Sequence, residues 1–166
     1  MKENHKIETK IICGFPGIGK SGLFEFNETC NSSLTITDSN STEYAWVGNE
    51  RNPDFPNNYI KSIKENIGKI DIILVSSHRI VREELRKANI NYYLVYPDAS
   101  LKEEYIERYH VRGSSEKFIE SIDNNLEEYL EEIRADNYPI KIKLSAGLYL
   151  TDVLGTILDT EMCSNN

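Results

Sequence analysis

The chain has 166 residues, 39% of them hydrophobic and 28% charged. That is enough for one domain with a packed core and too little for two ordinary ones. Nineteen Lys and Arg stand against 27 Asp and Glu, a formal net charge of −8, which counts against a broad basic face for DNA or RNA.

No apolar run approaches the ~18 residues of a membrane-spanning helix. The opening MKENHKIETK is polar and has no leader-type hydrophobic stretch. The expectation is a cytoplasmic protein with no membrane partner. Cys13, Cys30 and Cys163 have no metal-ligand spacing and read as reduced thiols of a reducing compartment.

Ile7 to Cys13 is rich in β-branched residues and ends at Gly14, which predicts a buried strand and a glycine-rich turn. Lys20 to about Cys30 reads as a short helix. Leu34 to Thr37 alternates as a second strand that stops at Asp38. Ser39 to Pro56, with Gly48, Pro53 and Pro56, reads as a long loop of the kind that often binds ligands. Asn57 to Ile67 has helical spacing and stops at Gly68. Asp71 to Ser76 is a central strand, and Ser77 is placed to cap a helix from His78 to Ala88.

Tyr92 to Tyr96 is a fourth strand, ended by Pro97-Asp98. Leu101 to about His110 is a charged helix broken at Arg112-Gly113. An amphipathic helix then runs from Ser115 to about Arg134. Ile140 to Leu144 is a fifth strand, followed by Ser145-Ala146-Gly147 and a last helix from about Leu148 to Leu158. Strands alternating with helices predict one α/β domain over residues 1–166, a three-layer sandwich around a five-stranded parallel sheet.

Gly14-Phe15-Pro16-Gly17-Ile18-Gly19-Lys20-Ser21 fits G-x-x-x-x-G-K-[ST] completely, between a strand and a helix. Glycines let the backbone wrap a phosphate without Cβ atoms in the way. The amides form an anion nest reinforced by the positive end of the following helix. Lys20 reaches the outer phosphates and Ser21 offers a hydroxyl to Mg²⁺. Gly14, Pro16, Gly17, Ile18, Gly19, Lys20 and Ser21 are therefore the candidate nucleotide site, with ATP and Mg²⁺ as its ligands.

The motif resembles that of the small P-loop kinases, such as shikimate, gluconate, adenylate and polynucleotide kinases. The resemblance is strict only in the phosphate loop and extends to the rest of the chain as layout. It implies a sheet in the order 2-3-1-4-5, an acceptor-binding insert at about residues 39–68 and an arginine-bearing lid at about residues 105–116. It also implies that Gly147, after the fifth strand, lies beside the nucleobase. Asp38 sits where shikimate kinase has an Asp-x-Asp, but the second acid is Asn40 here. Asp38 is thus a candidate general base toward an acceptor hydroxyl or a magnesium ligand.

The usual Walker B acid is missing, since Ser76-Ser77-His78-Arg79 follows the third strand. That lowers the case for a hydrolytic motor and raises that for a transferase. His78 and Arg82 are candidates for the acceptor or its phosphate. Arg108 and Arg112 are candidates for neutralising charge at the transferred group. Trp46 and Tyr59, in and after the long loop, are candidates for stacking on the acceptor.

The expected function is transfer of the ATP γ-phosphate to a small-molecule or nucleoside/nucleotide acceptor. A polynucleotide or modified-base hydroxyl kinase is an alternative, weakened by the net charge. A nucleotide-binding regulatory ATPase is another.

Overall fold

Lys10–Gly14 (β1) is buried along its whole length, because its β-branched side chains meet packed layers on both faces of a sheet. The computed structural model describes residues 7–30 and 32–160. Cys163 and the first six residues, on which the thiol and leader expectations partly rest, lie outside them.

The chain continues with α1 (Lys20–Thr29), β2 (Ile36–Asp38), α2 (Ser41–Ala45), β3 (Trp46–Val47) and β4 (Glu50–Arg51). Then come α3 (Asn57–Asn66), β5 (Ile72–Ser76), α4 (Arg79–Lys87), β6 (Tyr93–Pro97) and a 3₁₀ turn at Ala99–Leu101. The remainder is α5 (Lys102–Val111), α6 (Glu116–Ala135), β7 (Ile140–Leu144) and α7 (Leu150–Asp159).

Five strands form one parallel sheet in the order β2-β5-β1-β6-β7, and β3 with β4 forms a separate antiparallel hairpin. With the hairpin passed over, the sheet strands follow one another as second, third, first, fourth and fifth in chain order. β1 pairs with β5 in the register Ile12↔Leu74 and Gly14↔Ser76, and with β6 at Gly14↔Val95. The carboxyl ends of β1, β5 and β6 are thereby brought level, which is where ligands bind in open parallel sheets. α1 packs with α7, α3 with α4 and α5 with α6. One apolar cluster runs from Ile11 in β1 to Ile157 in α7 and includes the fully buried rings of Tyr92, Tyr93, Tyr105 and Tyr109. Among the described residues no helix is long and apolar enough to cross a membrane.

Three local expectations are corrected. The second strand starts at Ile36, not Leu34, because the Asp71 carboxylate holds the Thr35 amide and hydroxyl, both at 2.7 Å, ahead of the ladder. The cap of α4 is His78 and not Ser77. The stretch from Ser39 to Pro56 is not one loop. The Asn40 side chain accepts from the Thr42 amide at 3.1 Å and starts α2, and Gly48 at φ 61° turns the hairpin. Further on, α3 is a core helix, with Tyr59, Ile60 and Ile63 buried.

Candidate functional site

The segment Gly14–Ser21 turns from β1 into α1 as its residue types require. Gly17 and Gly19 have φ of 86° and 93°, the left-handed region that glycine enters without strain. A Cβ on Gly17 would lie 2.8 Å from the Tyr109 ring, and one on Gly19 2.8 Å from the Tyr149 ring. Phe15 is buried and its amide donates to the Val95 carbonyl at 2.9 Å, which ties the loop to β6. The amides of Gly17, Gly19, Lys20 and Ser21 find no acceptor among the described residues. All four residues line one cleft of about 1300 Å³. Together they form a nest of amides at the positive end of α1, an arrangement that can hold an anion.

The loop is held from behind by Tyr109 and Leu150, which sequence reasoning does not single out, and by Arg108, which it places in a lid. The Tyr109 hydroxyl donates to the Pro16 carbonyl at 2.8 Å, and the Leu150 amide donates to the Ile18 carbonyl at 2.7 Å. Arg108 donates from Nη1 to the Gly17 carbonyl at 2.9 Å. From Nη2 it donates to the Leu148 carbonyl at 3.0 Å and Glu104 Oε1 at 2.5 Å. Its guanidinium lies 3.9 Å from the Tyr149 ring centroid and 4.5 Å from that of Tyr105. Arg108 thus fastens the loop's backbone to α5 and to the start of α7.

The expected lid at residues 105–116 is therefore not a free flap. Its helical half carries the buried Tyr105 and Tyr109 against the loop, and only the turn around Gly113, at φ 76°, is open. Arg112 stands in that turn, exposed and lining the cleft, with Nε donating to Ser114 Oγ at 2.7 Å.

Lys20, Ser21 and Asp38 line the same cleft. Lys20 makes no ion pair among the described residues. Burial lowers its pKa below the ordinary 10.5, and the nearby Asp38 carboxylate opposes that effect. Among the described residues no three His, Cys, Asp or Glu side chains group as metal ligands. A Mg²⁺ ion keeps several waters and takes phosphate oxygens, so one hydroxyl and one carboxylate suit it. Ser21 and Asp38 are the cleft residues that could supply such a pair. Ser76 and Ser77, at the end of β5, line the cleft where a Walker B acid would stand. Cys13, behind them, is fully buried, and burial pushes its thiol far up, which leaves it inert.

His78 also faces the cleft. Withdrawal from bulk water, then the charges of Lys20 and Arg82, lower its pKa below 6.5 against a smaller opposing effect of Glu132. Arg82 is only 4% exposed. It donates from Nε to the Ser77 carbonyl at 2.9 Å, from Nη2 to Glu132 at 2.6 Å, and from Nη1 to Asp136. Its guanidinium is already engaged by the protein, which corrects its assignment to an acceptor's phosphate.

Tyr59 does not reach the cleft. It is fully buried, its hydroxyl donating to the Ser39 carbonyl and accepting from the Ser76 amide, so it joins the ends of β2 and β5 from beneath. Trp46 lies on the hairpin outside the cleft, with the Arg51 guanidinium 4.9 Å from its ring centroid. Gly147 also lies outside the cleft wall, and its amide donates to Glu104 at 3.0 Å.

No protein-family model matches the chain, and no curated protein matches it in sequence. The fold is similar to the crystal structure of an uncharacterized protein from Eubacterium ventriosum, at a TM-score of 0.50 and 18% sequence identity. The match covers 93% of this chain and 99% of that one. The similarity is one of fold alone.

Proposed function

We propose that this protein is a P-loop phosphotransferase that moves the γ-phosphate of ATP to an acceptor hydroxyl. The observation that carries the reading is the set of amides of Gly17, Gly19, Lys20 and Ser21, without acceptors among the described residues, beside a Lys20 with no ion pair among them, at the head of a large cleft. The sheet order supports it too, since with the hairpin passed over it follows the sequence 2-3-1-4-5 of the small kinases that the motif resembles.

The amides and Lys20 Nζ would hold the phosphate oxygens, and Ser21 with Asp38 would hold Mg²⁺. The metal supplies charge neutralisation at those oxygens. Asp38, at the end of β2, accepts the proton that the acceptor hydroxyl loses as its oxygen bonds to phosphorus and ADP departs. Arg112 is the arginine free to meet charge developing on the transferred group. Arg108 keeps the Gly17 carbonyl turned back, so the amides stay aimed at their anion. Catalysis here is positioning and electrostatics.

The test is a transfer screen with γ-labelled ATP over nucleosides, nucleotides, sugars and oligonucleotides, with wild type beside Lys20→Ala and Asp38→Asn. Lys20→Ala is expected to lose transfer almost entirely. Wild-type transfer by that variant would remove the basis of the assignment. Full transfer by Asp38→Asn would take the proton-accepting role from Asp38.

A further inference from the structure

The cleft has two chemically different ends. One is the amide nest with Lys20. The other is walled by the ends of β2 and β5 and by one face of α6. From the strands come hydroxyl and amide groups, among them Ser39, Asn40, Thr42, Ser76 and Ser77, together with the Asp38 carboxylate. From α6 come Phe118, Ile122, Tyr129 and Ile133, spaced to lie on one side of the helix, with Glu132 beside them.

Among the described residues, the buried cation at this second end is already taken, while Arg112, its guanidinium 5.4 Å from the Phe118 ring centroid, is left to the transferred group. Arg82 is buried and holds both Glu132 and Asp136, so that one guanidinium faces two carboxylates. Arg79 sits at the rim, 67% exposed, and pairs with Glu83 at 2.6 Å. Lys20 serves the nest. A carboxylate or phosphate on an acceptor would therefore face the Asp38 and Glu132 carboxylates without a buried cation to pair it, a like-charge arrangement that disfavours it. Hydroxyls meet a full set of partners there, and a ring face meets the apolar side of α6.

Resting on the phosphotransferase reading, we propose that the acceptor is an uncharged, hydroxyl-bearing ring compound of nucleoside or sugar type. The engagement of Arg82 by Glu132 and Asp136 makes the site discriminate against acceptors that carry a carboxylate or phosphate.

The experiment compares matched acceptors with γ-labelled ATP: thymidine against thymidine 5′-monophosphate, and glucose against gluconate. The uncharged member of at least one pair is expected to show a kcat/KM roughly tenfold or more above its anionic partner. The nucleoside and sugar arms separate the two sources of that chemistry. In Glu132→Gln, which keeps a hydrogen-bond acceptor for Arg82, the ratio is expected to narrow through a rise for the anionic member. A purely structural role for Glu132 would lower both members alike and leave the ratio unmoved, and that result overturns the proposed discrimination.

Preference for the anionic member, or no transfer to any uncharged one while the protein binds ATP, overturns the acceptor class alone. Calorimetry with ATP and Mg²⁺ on the same preparation separates the two claims, because absence of nucleotide binding removes the phosphotransferase reading itself.

Discussion

Arg82 and His78 begin the same helix and have different fates. Arg82 reaches inward and is neutralised by acids on α6 and just beyond it, which fixes one wall of the cleft. His78 stays at the surface of the cleft, beside Lys20 and Arg82, and its charged form is disfavoured. The sign follows directly. The folded protein binds this proton less readily than the unfolded chain, so the imidazole's contribution to stability is complete above about pH 6.5, its ordinary pKa. It is lost as the pH falls through the lower, folded-state value. NMR titration should find His78 half-protonated below pH 6.5, and Lys20→Ala should move that midpoint upward. A midpoint unchanged by the substitution would mean that the two side chains do not sense each other. Neither fate shows in the local pattern Ser77-His78-Arg79, because the partners that decide them lie some fifty residues away.

At the scale of elements, the helices divide the labour around the Gly14–Ser21 loop. α1 supplies its positive end, while α5 and the start of α7 press on the loop through Tyr109, Arg108 and Tyr149. α6 lines the far wall. The hairpin of β3 and β4 lies outside the cleft wall, and Trp46 on it is 43% exposed. Trp46→Ala should therefore cost less than about 1 kcal/mol of stability, the scale of one exposed cation–π contact. ATP affinity and transfer to a small acceptor should not change. Urea denaturation and steady-state kinetics would check this, and a fall in kcat/KM confined to oligonucleotide acceptors would give the hairpin a role in holding a polymer. The composition of the segment suggested a binding loop. Capping by Asn40 and cross-strand pairing of Trp46 with Arg51 organise it into a short helix whose start lines the cleft and a hairpin that lies outside it.

For the whole molecule, the proposed function ties nucleotide binding to folding, because the cleft is built from both ends of the chain. β1 and α1 make the nest, and the Leu150 amide at the head of α7 closes it by bonding the Ile18 carbonyl. A ligand that binds only the folded chain at a hundred times its Kd adds about 2.7 kcal/mol of stability. For a domain of this size that raises Tm by about 5–10 °C. Differential scanning fluorimetry with ATP and Mg²⁺ should register such a rise, chelation of the metal should shrink it, and Lys20→Ala should nearly abolish it. Equal shifts in wild type and Lys20→Ala would mean that the nucleotide binds somewhere other than this cleft.

The amino-acid sequence alone determined the parallel α/β layout and the glycine-rich turn from β1 into α1, since both are written locally. Strand and helix periods repeat within a few residues, and the turn needs only the eight consecutive residues Gly14 to Ser21. The strand that carries Asp38 was legible for the same reason, with only its first residues misjudged. Tertiary structure decided which arginine is free and which is engaged, which aromatic rings press on the loop and which merely share its neighbourhood. Pairs such as Arg82 with Asp136, or Tyr109 with Pro16, are separated by 54 and 93 positions. They meet only because the sheet order brings their elements together. A side chain's identity states what it can bond, whereas its partner, and hence its charge and availability, is set by what the fold packs against it.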